Sequence, residues 1–426
     1  MFTMNPAELK NKMKSLWRDT FHDSDAYINL VFDNYFNPDL LEYEEMNGDV
    51  VAGLLGVPYS FGNSDRQVRG LYLCGLATKP QYRSRGIMTR MLARINEKAL
   101  KAGFAFTFLI PADAGLRKYY KDRDYVNAFY RIVDNYTSLH DFDREYDSIL
   151  LEQKEKVSTL KRKYYDLLQT GKISIDSRDD DTMLQVGKLI ESKEKGQLDL
   201  RIIHSEKDIA ALMEEALVSK GMIYYVKSQS GVVTGAAFVD PRDKSEIDIT
   251  RIFYNDQGSK YKLLDKIKRD NPDSALQLFI SSVEMDRKAL WMRTYGSYLP
   301  DAPQAGAISM TERVYSLAAH ARVYGMARIL NIHEILKFQA EGRKELKYSI
   351  LMKGDDPYVV ELIKVRDGKV DVKNLTYDQL DDWQAVNVMS QRQIGEILFR
   401  RHDTDNVITD ALGMPSVCAS ASLLLD

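Results

Sequence analysis

Cysteine is scarce in this sequence, which has only Cys74 and Cys418 among its 426 residues. Two cysteines so far apart exclude a disulfide framework and a thiolate metal site, and they indicate a reducing, cytoplasmic compartment. Histidine adds no metal signal, because no two of the six histidines stand at the spacing of a helical zinc pair. We therefore expect no metal cofactor.

Long apolar runs are also missing. No stretch approaches the roughly 20 residues that a membrane-spanning helix needs, and Met1 to Trp17 lacks the apolar core of a secretory signal. The 59 Lys and Arg against 62 Asp and Glu give a net charge of −3. Because positive and negative residues are nearly equal in number, nucleic-acid binding through phosphate neutralisation is disfavoured. We expect neither a membrane span nor a nucleic-acid partner.

Several common catalytic motifs are absent. The sequence contains no Gly-x-Gly-x-x-Gly, no Walker loop and no Gly-x-Ser-x-Gly elbow, which excludes the dinucleotide-binding, nucleotide-hydrolysing and serine-hydrolase classes that depend on them. At roughly 150 residues per domain, the 426 residues correspond to about three domains.

The first third of the chain alternates between helical and strand-like patterns. Residues 9–36 have helical apolar spacing, and Asn47-Gly48 between two strand-like runs indicates a hairpin. The pattern then predicts a strand over 69–78, a helix over 86–102, a strand over 104–111, a short helix over 115–121 and a strand over 125–133.

One loop in this order has anion-binding chemistry, namely Arg83-Ser84-Arg85-Gly86 before a helix that starts with Ile87 and Met88. A helix N-terminus presents unpaired N–H groups and a positive dipole end, glycine allows a phosphate to approach closely, and arginines add charge-assisted contacts. These features suit a pyrophosphate. As a bare pattern, the same residues also fit an exposed basic helix start.

The segment Leu76-Ala77-Thr78-Lys79-Pro80-Gln81-Tyr82-Arg83-Ser84-Arg85-Gly86-Ile87-Met88 resembles motif A of the GNAT acetyltransferase superfamily, Arg/Gln-x-x-Gly-x-Gly/Ala. The order of elements also matches, and Tyr120 to Tyr125 is similar to the GNAT segment Tyr-x-x-x-Gly-Phe. Two residues depart from the pattern: Met88 replaces Gly or Ala, and Asp124 replaces Gly. The first departure is common in the enhanced intracellular survival (Eis) branch, whose loop reads Arg-Arg-Arg-Gly-Leu-Leu.

The rest of the chain extends the resemblance. Residues 141–195 are mostly helical in pattern, Ser205 begins a capped helix, and the order of the first domain then repeats, but the loop 255–260 lacks Arg-x-x-Gly. A second GNAT-like domain without a cofactor loop is one interpretation, and an unrelated α+β domain is the other. From Met326, which introduces a helix through 338, the pattern resembles a sterol carrier protein-like domain. The fold class is thus α+β / α/β, with tandem GNAT-like mixed-sheet domains over 1–140 and 141–313 and a sterol carrier-like α+β domain over 314–426.

The resemblance implies roles for particular residues in acetyl transfer. Tyr120 aligns with the tyrosine that acts as general acid toward the departing thiolate, with Tyr119 as its neighbour and competitor. The implied acetyl-CoA-binding residues are Leu76, Ala77 and Thr78 along the strand and Arg83, Ser84, Arg85, Gly86, Ile87 and Met88 in the loop.

The implied base is the chain's own C-terminal carboxylate, at Asp426, as in Eis-like enzymes. The acceptor side is represented by Asp23, with Asp25 as the near competitor, because acidic residues attract a cationic amine. The resemblance also implies a hexamer.

The resemblance implies an acetyl-CoA-dependent N-acetyltransferase that acts directly, in a ternary complex, on an amine. The expected acceptor is a small polyamine- or aminoglycoside-like cation, and a protein or peptide lysine is the second choice. The alternatives are a non-catalytic CoA- or lipid-binding protein with a decayed site, and an acyltransferase that uses a larger donor.

Overall fold

The computed structural model of the protein describes residues 4–63, 65–135, 165–195, 200–241, 245–280, 319–399, 414 and 419–420. The chain divides into two compact units. The first comprises Met1–Tyr130, Gln197–Ile203 and Val323–Asp426, and the second comprises Arg131–Gly196 and His204–Arg322.

The amino-terminal elements follow the predicted order. They are α1 (Pro6–Phe21), α2 (Asp25–Tyr35), β1 (Leu41–Met46), β2 (Asp49–Gly62), β3 (Gln67–Thr78), α3 (Ile87–Lys101), β4 (Phe106–Leu109), α4 (Ala114–Lys121) and β5 (Val126–Asn135). The predicted hairpin is confirmed: Asn47 and Gly48 have φ of 55° and 76°, as a type I′ turn between twisted strands requires.

The later elements complete the described chain. They are β6 (Gln169–Ile173), α5 (Asp180–Lys195), β7 (Leu200–Ile203), α6 (Glu206–Val218), β8 (Met222–Lys227), β9 (Val233–Pro241), β10 (Glu246–Tyr254), α7 (Gln257–Asp270), β11 (Ala275–Ile280), β12 (Ala319–Ile329), α8 (Ile332–Ala340), β13 (Tyr348–Lys353), β14 (Val359–Arg366), β15 (Lys369–Thr376), α9 (Asp382–Val386), α10 (Gln391–Leu398) and β16 (Ala419–Ser420). The predicted cap of α6 is confirmed, because Ser205 and Asp208 form a reciprocal capping box.

Within the segment expected to be mostly helical, the described residues include helix α5 and also the short strand β6 at 169–173. One local prediction was wrong. Met326 does not introduce a helix. Met326 to Ile329 pair in antiparallel register with β4, and α8 begins only at Ile332. A short apolar run fits either a buried strand or a buried helix, so periodicity alone could not decide between them.

The sheet of the first unit has the strand order β16-β7-β2-β3-β4-β12, with β1 paired to β2. Strands β2 and β3 are antiparallel, whereas β3 and β4 run parallel and are joined by α3. Helix α3 packs a face that includes Met91 and Ile95 into the core, against Leu71 and Leu73 of β3. Cys74 of β3 is also buried. Burial raises the pKa of the Cys74 thiol.

The second unit repeats this pairing pattern. Strands β8 and β9 are antiparallel, as are β9 and β10, whereas β10 and β11 run parallel and are joined by α7. The sheet continues from β8 to β6 at one side, and from β11 to residues 132–135 of β5 at the other.

The carboxyl-terminal part of the first unit contains a separate antiparallel sheet, β13-β14-β15. Its β14–β15 turn at Asp367-Gly368 has the positive φ values of a tight hairpin. Within the described ranges, no helix is long and apolar enough to cross a membrane.

Candidate active site

The central feature of the site is that strand β3 continues beyond its parallel neighbour β4. The β3–β4 register covers Gly70 to Tyr72, whereas the register of β3 with β2 continues to Thr78. Among the described strands, none pairs with the β4-facing side of residues 74–78. Apart from the Thr78 carbonyl, which accepts a hydrogen bond from Arg83, the backbone N–H and C=O groups along this side are therefore available to pair with an extended, amide-containing ligand.

A bulge in β3 lies at this divergence. Gly53 pairs with Ala77 but Leu55 pairs with Cys74, so β3 carries one extra residue. Within it, Gly75 has φ +61°, and a Cβ on this residue would lie 2.1 Å from the indole of Trp17. Glycine is needed here both for its backbone conformation and for the close approach of the ring.

The loop after β3 leads directly into the N-terminus of α3. Ser84 and Gly86 both have positive φ, at 62° and 71°. Gly86 is the N-cap of α3, and no side chain caps this end. The first N–H groups of an α-helix have no intrahelical partner, so this terminus presents unpaired donors and a positive dipole end to an anion.

Three arginines surround this helix end. Arg83 donates from Nε to the Thr78 carbonyl at 3.0 Å, which ties the loop to the end of β3. Arg90 donates to the Arg85 carbonyl at 3.1 Å, and the Arg85 guanidinium lies 5.2 Å from the Tyr82 ring centroid. All three are exposed, and none pairs with a carboxylate of the described chain. The loop is thus strongly positive.

Tyr120 lies at the end of α4 and is 6% exposed. It belongs to the same apolar cluster against which Leu76 of β3 and Met88 of α3 pack. Burial, as the main cause, raises the pKa of Tyr120. Its hydroxyl makes no hydrogen bond within the described residues and stays protonated well above neutral pH. The structure thus brings the predicted tyrosine together with residues of the predicted donor strand and donor helix.

The turn after Tyr120 explains one departure from the family pattern. Asp124 has φ +63°, the left-handed conformation that explains why the pattern has glycine there. Aspartate tolerates this region better than most residues, and its carboxylate lies 3.5 Å from Nη2 of Arg328 in β12. The aspartate is compatible with the turn and links it to β12.

The two predicted acceptor-side aspartates differ in their surroundings. Asp23 accepts a 2.7 Å hydrogen bond from the Trp17 indole, the same ring that packs against Gly75. Asp25 instead forms an ion pair with Arg18 at 2.6 Å, and both side chains are at least half exposed. Among the described residues, Asp23 has no cationic partner and is linked through one ring to the β3 bulge, whereas Asp25 is paired with Arg18.

The corresponding helix in the second unit is arranged differently. The N-terminus of α7 is capped by Asp256, whose side chain accepts from the N–H of Ser259 at 2.9 Å and from its hydroxyl at 3.1 Å. A carboxylate already occupies the position that a phosphate would need. This geometry disfavours phosphate binding at α7.

Sequence reasoning missed Trp17, Thr89 and Arg123. Their contacts Trp17–Gly75, Thr89–Tyr119 and Thr89–Arg123 join distant segments. No local motif signals such contacts. Asp426 lies outside the described residues. The described part of the chain contains no cluster of three or more His, Cys, Asp or Glu that could hold a metal ion.

Comparisons with known proteins agree with this geometry. Residues 5–127 match the family model of an acetyltransferase (GNAT) domain. No curated protein matches the sequence.

Several solved structures share the fold over nearly the whole chain. A probable N-acyltransferase of unknown function from Enterococcus faecalis has a TM-score of 0.62 at 12% identity, covering 96% of this chain and 95% of that one. A GCN5-related N-acetyltransferase from Kribbella flavida has a TM-score of 0.59 at 14% identity, covering 98% and 96%. Eis1 from Mycobacterium abscessus has a TM-score of 0.58 at 9% identity, covering 96% and 91%. Residues 5–127 form a GNAT acetyltransferase domain, and the protein is an acyltransferase.

Proposed function

We propose that this protein transfers an acetyl group from acetyl-CoA to a primary amine of a small cationic acceptor. The observation that carries the proposal is the uncapped N-terminus of α3, which follows the basic loop and adjoins the unpaired side of β3. The helix N-terminus provides the N–H donors that a pyrophosphate needs, and the unpaired side of β3 provides the backbone groups that an amide-containing pantetheine arm needs. These two features are adjacent.

Two regions of the site would bind acetyl-CoA. The backbone N–H groups at the start of α3, together with Arg85, would bind the pyrophosphate. The backbone of Leu76, Ala77 and Thr78 would pair with the pantetheine arm and direct the thioester toward Tyr120. Arg83 would act indirectly, because its Nε is bonded to the Thr78 carbonyl.

The transfer itself is a direct substitution in a ternary complex. The amine nitrogen attacks the thioester carbonyl carbon, the N–C bond forms, the C–S bond breaks, and CoA leaves as a thiolate. Of the two protons that the ammonium loses, one goes to the base and then to solvent, and one ends on the CoA sulfur. The proposed base is the terminal carboxylate of Asp426, on the strength of the resemblance alone.

A tyrosine whose pKa is raised by burial holds its proton more tightly than a thiol with a pKa near 8.5. Tyr120 would therefore act first as a hydrogen-bond donor to the developing thiolate, a stabilisation that is strongest in a dry site. Protonation of the sulfur would be completed after the C–S bond breaks.

Acetyl-CoA titration of an Arg85→Glu variant tests the donor site. The substitution opposes the pyrophosphate charge at an exposed position, so calorimetry should show acetyl-CoA affinity lower by about 10- to 100-fold. Lys101→Glu is the matched control, because it makes the same charge change at the far end of α3, about 20 Å away. Equal affinities in the two variants would refute the loop assignment.

The same titration on the unaltered chain distinguishes the other functions. One acetyl-CoA per chain is the expected stoichiometry, because Asp256 closes the equivalent helix end in the second unit. Failure to bind any CoA would favour a decayed site. Tighter binding of a longer acyl-CoA would identify a larger donor.

Binding of the amine acceptor is expected to depend on the charge of Asp23. Asp23→Asn removes the charge while its amide oxygen can still accept from the Trp17 indole, so the KM for a polyamine acceptor should rise about tenfold, equivalent to about 1.4 kcal/mol. Asp25→Asn, which only breaks an exposed ion pair with Arg18, should leave this KM unchanged. If both variants behave alike in steady-state kinetics, Asp23 is not on the acceptor path.

The wider organisation remains part of the proposal. We propose the three-domain division at 140 and 313, with the second domain GNAT-like and the third sterol carrier-like. The repeated pairing pattern of the second unit supports the tandem arrangement. A homo-oligomer in the cytoplasm is the proposed state, and light scattering with the purified full chain would measure its mass.

A further inference from the structure

Arg123 lies between the helix that begins at the proposed donor loop and the helix whose last turn contains Tyr120. It follows Tyr120 by three residues, in the turn after α4, and is half-buried. None of the roles proposed above uses it, although its guanidinium makes more short contacts than any arginine of the donor loop.

The guanidinium joins α3 to α4. Its Nη2 and Nε donate to Thr89 Oγ1, in the first turn of α3, at 2.8 and 3.2 Å. Its Nη1 donates to the Tyr119 carbonyl, in the last turn of α4, at 2.6 Å. The guanidinium carbon Cζ also lies 3.5 Å from the Tyr119 ring centroid, and the Tyr119 hydroxyl is 3.1 Å from Thr89 Oγ1.

The backbone of the same residue holds Tyr120 directly. The Arg123 N–H donates to the Tyr120 carbonyl at 2.9 Å. Behind it, the Arg123 carbonyl accepts from Nη1 of Arg328 at 3.3 Å, next to the Asp124 contact of that arginine. The turn is therefore fixed on both sides, and the side chain of Arg123 extends from it toward α3.

We propose that Arg123 is a positioning residue, which fixes the helix end bearing Tyr120 against the first turn of the donor-binding helix. This inference rests on the proposed function, in which Tyr120 donates a hydrogen bond to the sulfur of a donor held at the start of α3. The distance between sulfur and hydroxyl then depends on how α3 and α4 are joined, and Thr89 lies immediately after Met88. A displacement of about 1 Å in such a geometry can cost on the order of 100-fold in rate.

Arginine suits this role better than lysine. Three of its N–H groups reach two acceptors on different helices, and its flat face covers the Tyr119 ring. An ammonium on a flexible stem could reach one of the acceptors, but it cannot make the forked and stacked contacts together.

A double-mutant cycle between Arg123 and Tyr120 tests the inference. We expect Arg123→Met to lower kcat about 10- to 100-fold, with the Kd for acetyl-CoA changed by less than about threefold, and Arg123→Lys to recover part of the loss. In the Tyr120→Phe background, Arg123→Met should lower kcat by less than about threefold, because no hydroxyl remains to be positioned. Lys121→Met, which removes an exposed charge from the same helix, is the control and should keep the unaltered rate.

Two outcomes would overturn the inference. Equal kcat losses from Arg123→Met with and without the Tyr120 hydroxyl would show that Arg123 only supports the fold. A fall in acetyl-CoA affinity as large as the fall in kcat would instead show that it binds the donor. If Tyr120→Phe alone leaves kcat unchanged, the proposed role of Tyr120 fails, which is a distinct result. Thr89→Val removes the shared acceptor while nearly conserving shape, so it should reproduce a smaller kcat loss if Arg123→Met does not fold.

Discussion

Replacing Tyr120 with phenylalanine should lower kcat about 100-fold while leaving the affinity for acetyl-CoA within about twofold. The hydroxyl is removed but the ring remains, so the packing against Tyr119 and Tyr125 is retained. A donor aimed at the leaving sulfur acts only once charge develops there, so the loss belongs to the transition state. Stopped-flow detection of CoA release would measure kcat, and calorimetry would measure the donor Kd.

Tyr119→Phe is the informative comparison for this prediction. The Tyr119 hydroxyl contacts Thr89 at 3.1 Å and its ring stacks under Arg123, so the phenylalanine loses one contact but keeps the stacking. We expect a kcat loss of less than about fivefold, within the range of one neutral hydrogen bond. A larger loss in Tyr119→Phe than in Tyr120→Phe would transfer the role to Tyr119.

A Gly75→Ala substitution should destabilise the first unit by about 2–4 kcal/mol. A residue with a Cβ is disfavoured at φ +61°. The added methyl group would also lie 2.1 Å from the packed indole ring of Trp17. Guanidinium unfolding followed by circular dichroism should show an earlier midpoint for the transition of this unit.

Gly48→Ala separates the two causes. Gly48 also has positive φ, at +76°, but a Cβ there would have no atom within 4 Å. Gly48→Ala should therefore lower the free energy of unfolding only through the unfavourable backbone conformation, by about 1 kcal/mol. Similar midpoints for the two alanine variants would mean that the indole does not occupy the space beside the β3 bulge.

The sequence predicted the parts of the site that are made by neighbouring residues. The Asn47-Gly48 turn and the capping box at Ser205 depend on local backbone preferences, so a few letters were sufficient. The loop from Arg83 to Met88 could be proposed as a donor site for the same reason, because its glycine, its arginines and the start of α3 are consecutive.

Contacts between distant segments were beyond the reach of such patterns. Nothing near Trp17 in the sequence indicates that its ring lies on a glycine of β3 or that it orients Asp23. Arg123 lies within a recognised segment, yet its partner Thr89 is 34 residues away. These arrangements depend on how the elements pack, which periodicity does not encode.

The misplaced element at Met326 has a similar origin. Its short apolar run fits a buried strand as well as a helix, and the choice depends on β4 offering a free edge. The interpretation of Asp124 also depended on the fold, since its backbone conformation and its proximity to Arg328 are visible only in three dimensions.

The burial of Cys74 has a practical consequence for chemistry at sulfur. A thiol in the core, with its pKa raised by burial, presents almost no thiolate to an electrophile. Disulfide reagents that report the thiol of released CoA should therefore receive no background from this residue in the native protein. With only two cysteines in the chain, any thiol that reacts before substrate is added belongs to Cys418, so one absorbance trace would report the reactivity of a single protein sulfur and then the turnover of the enzyme.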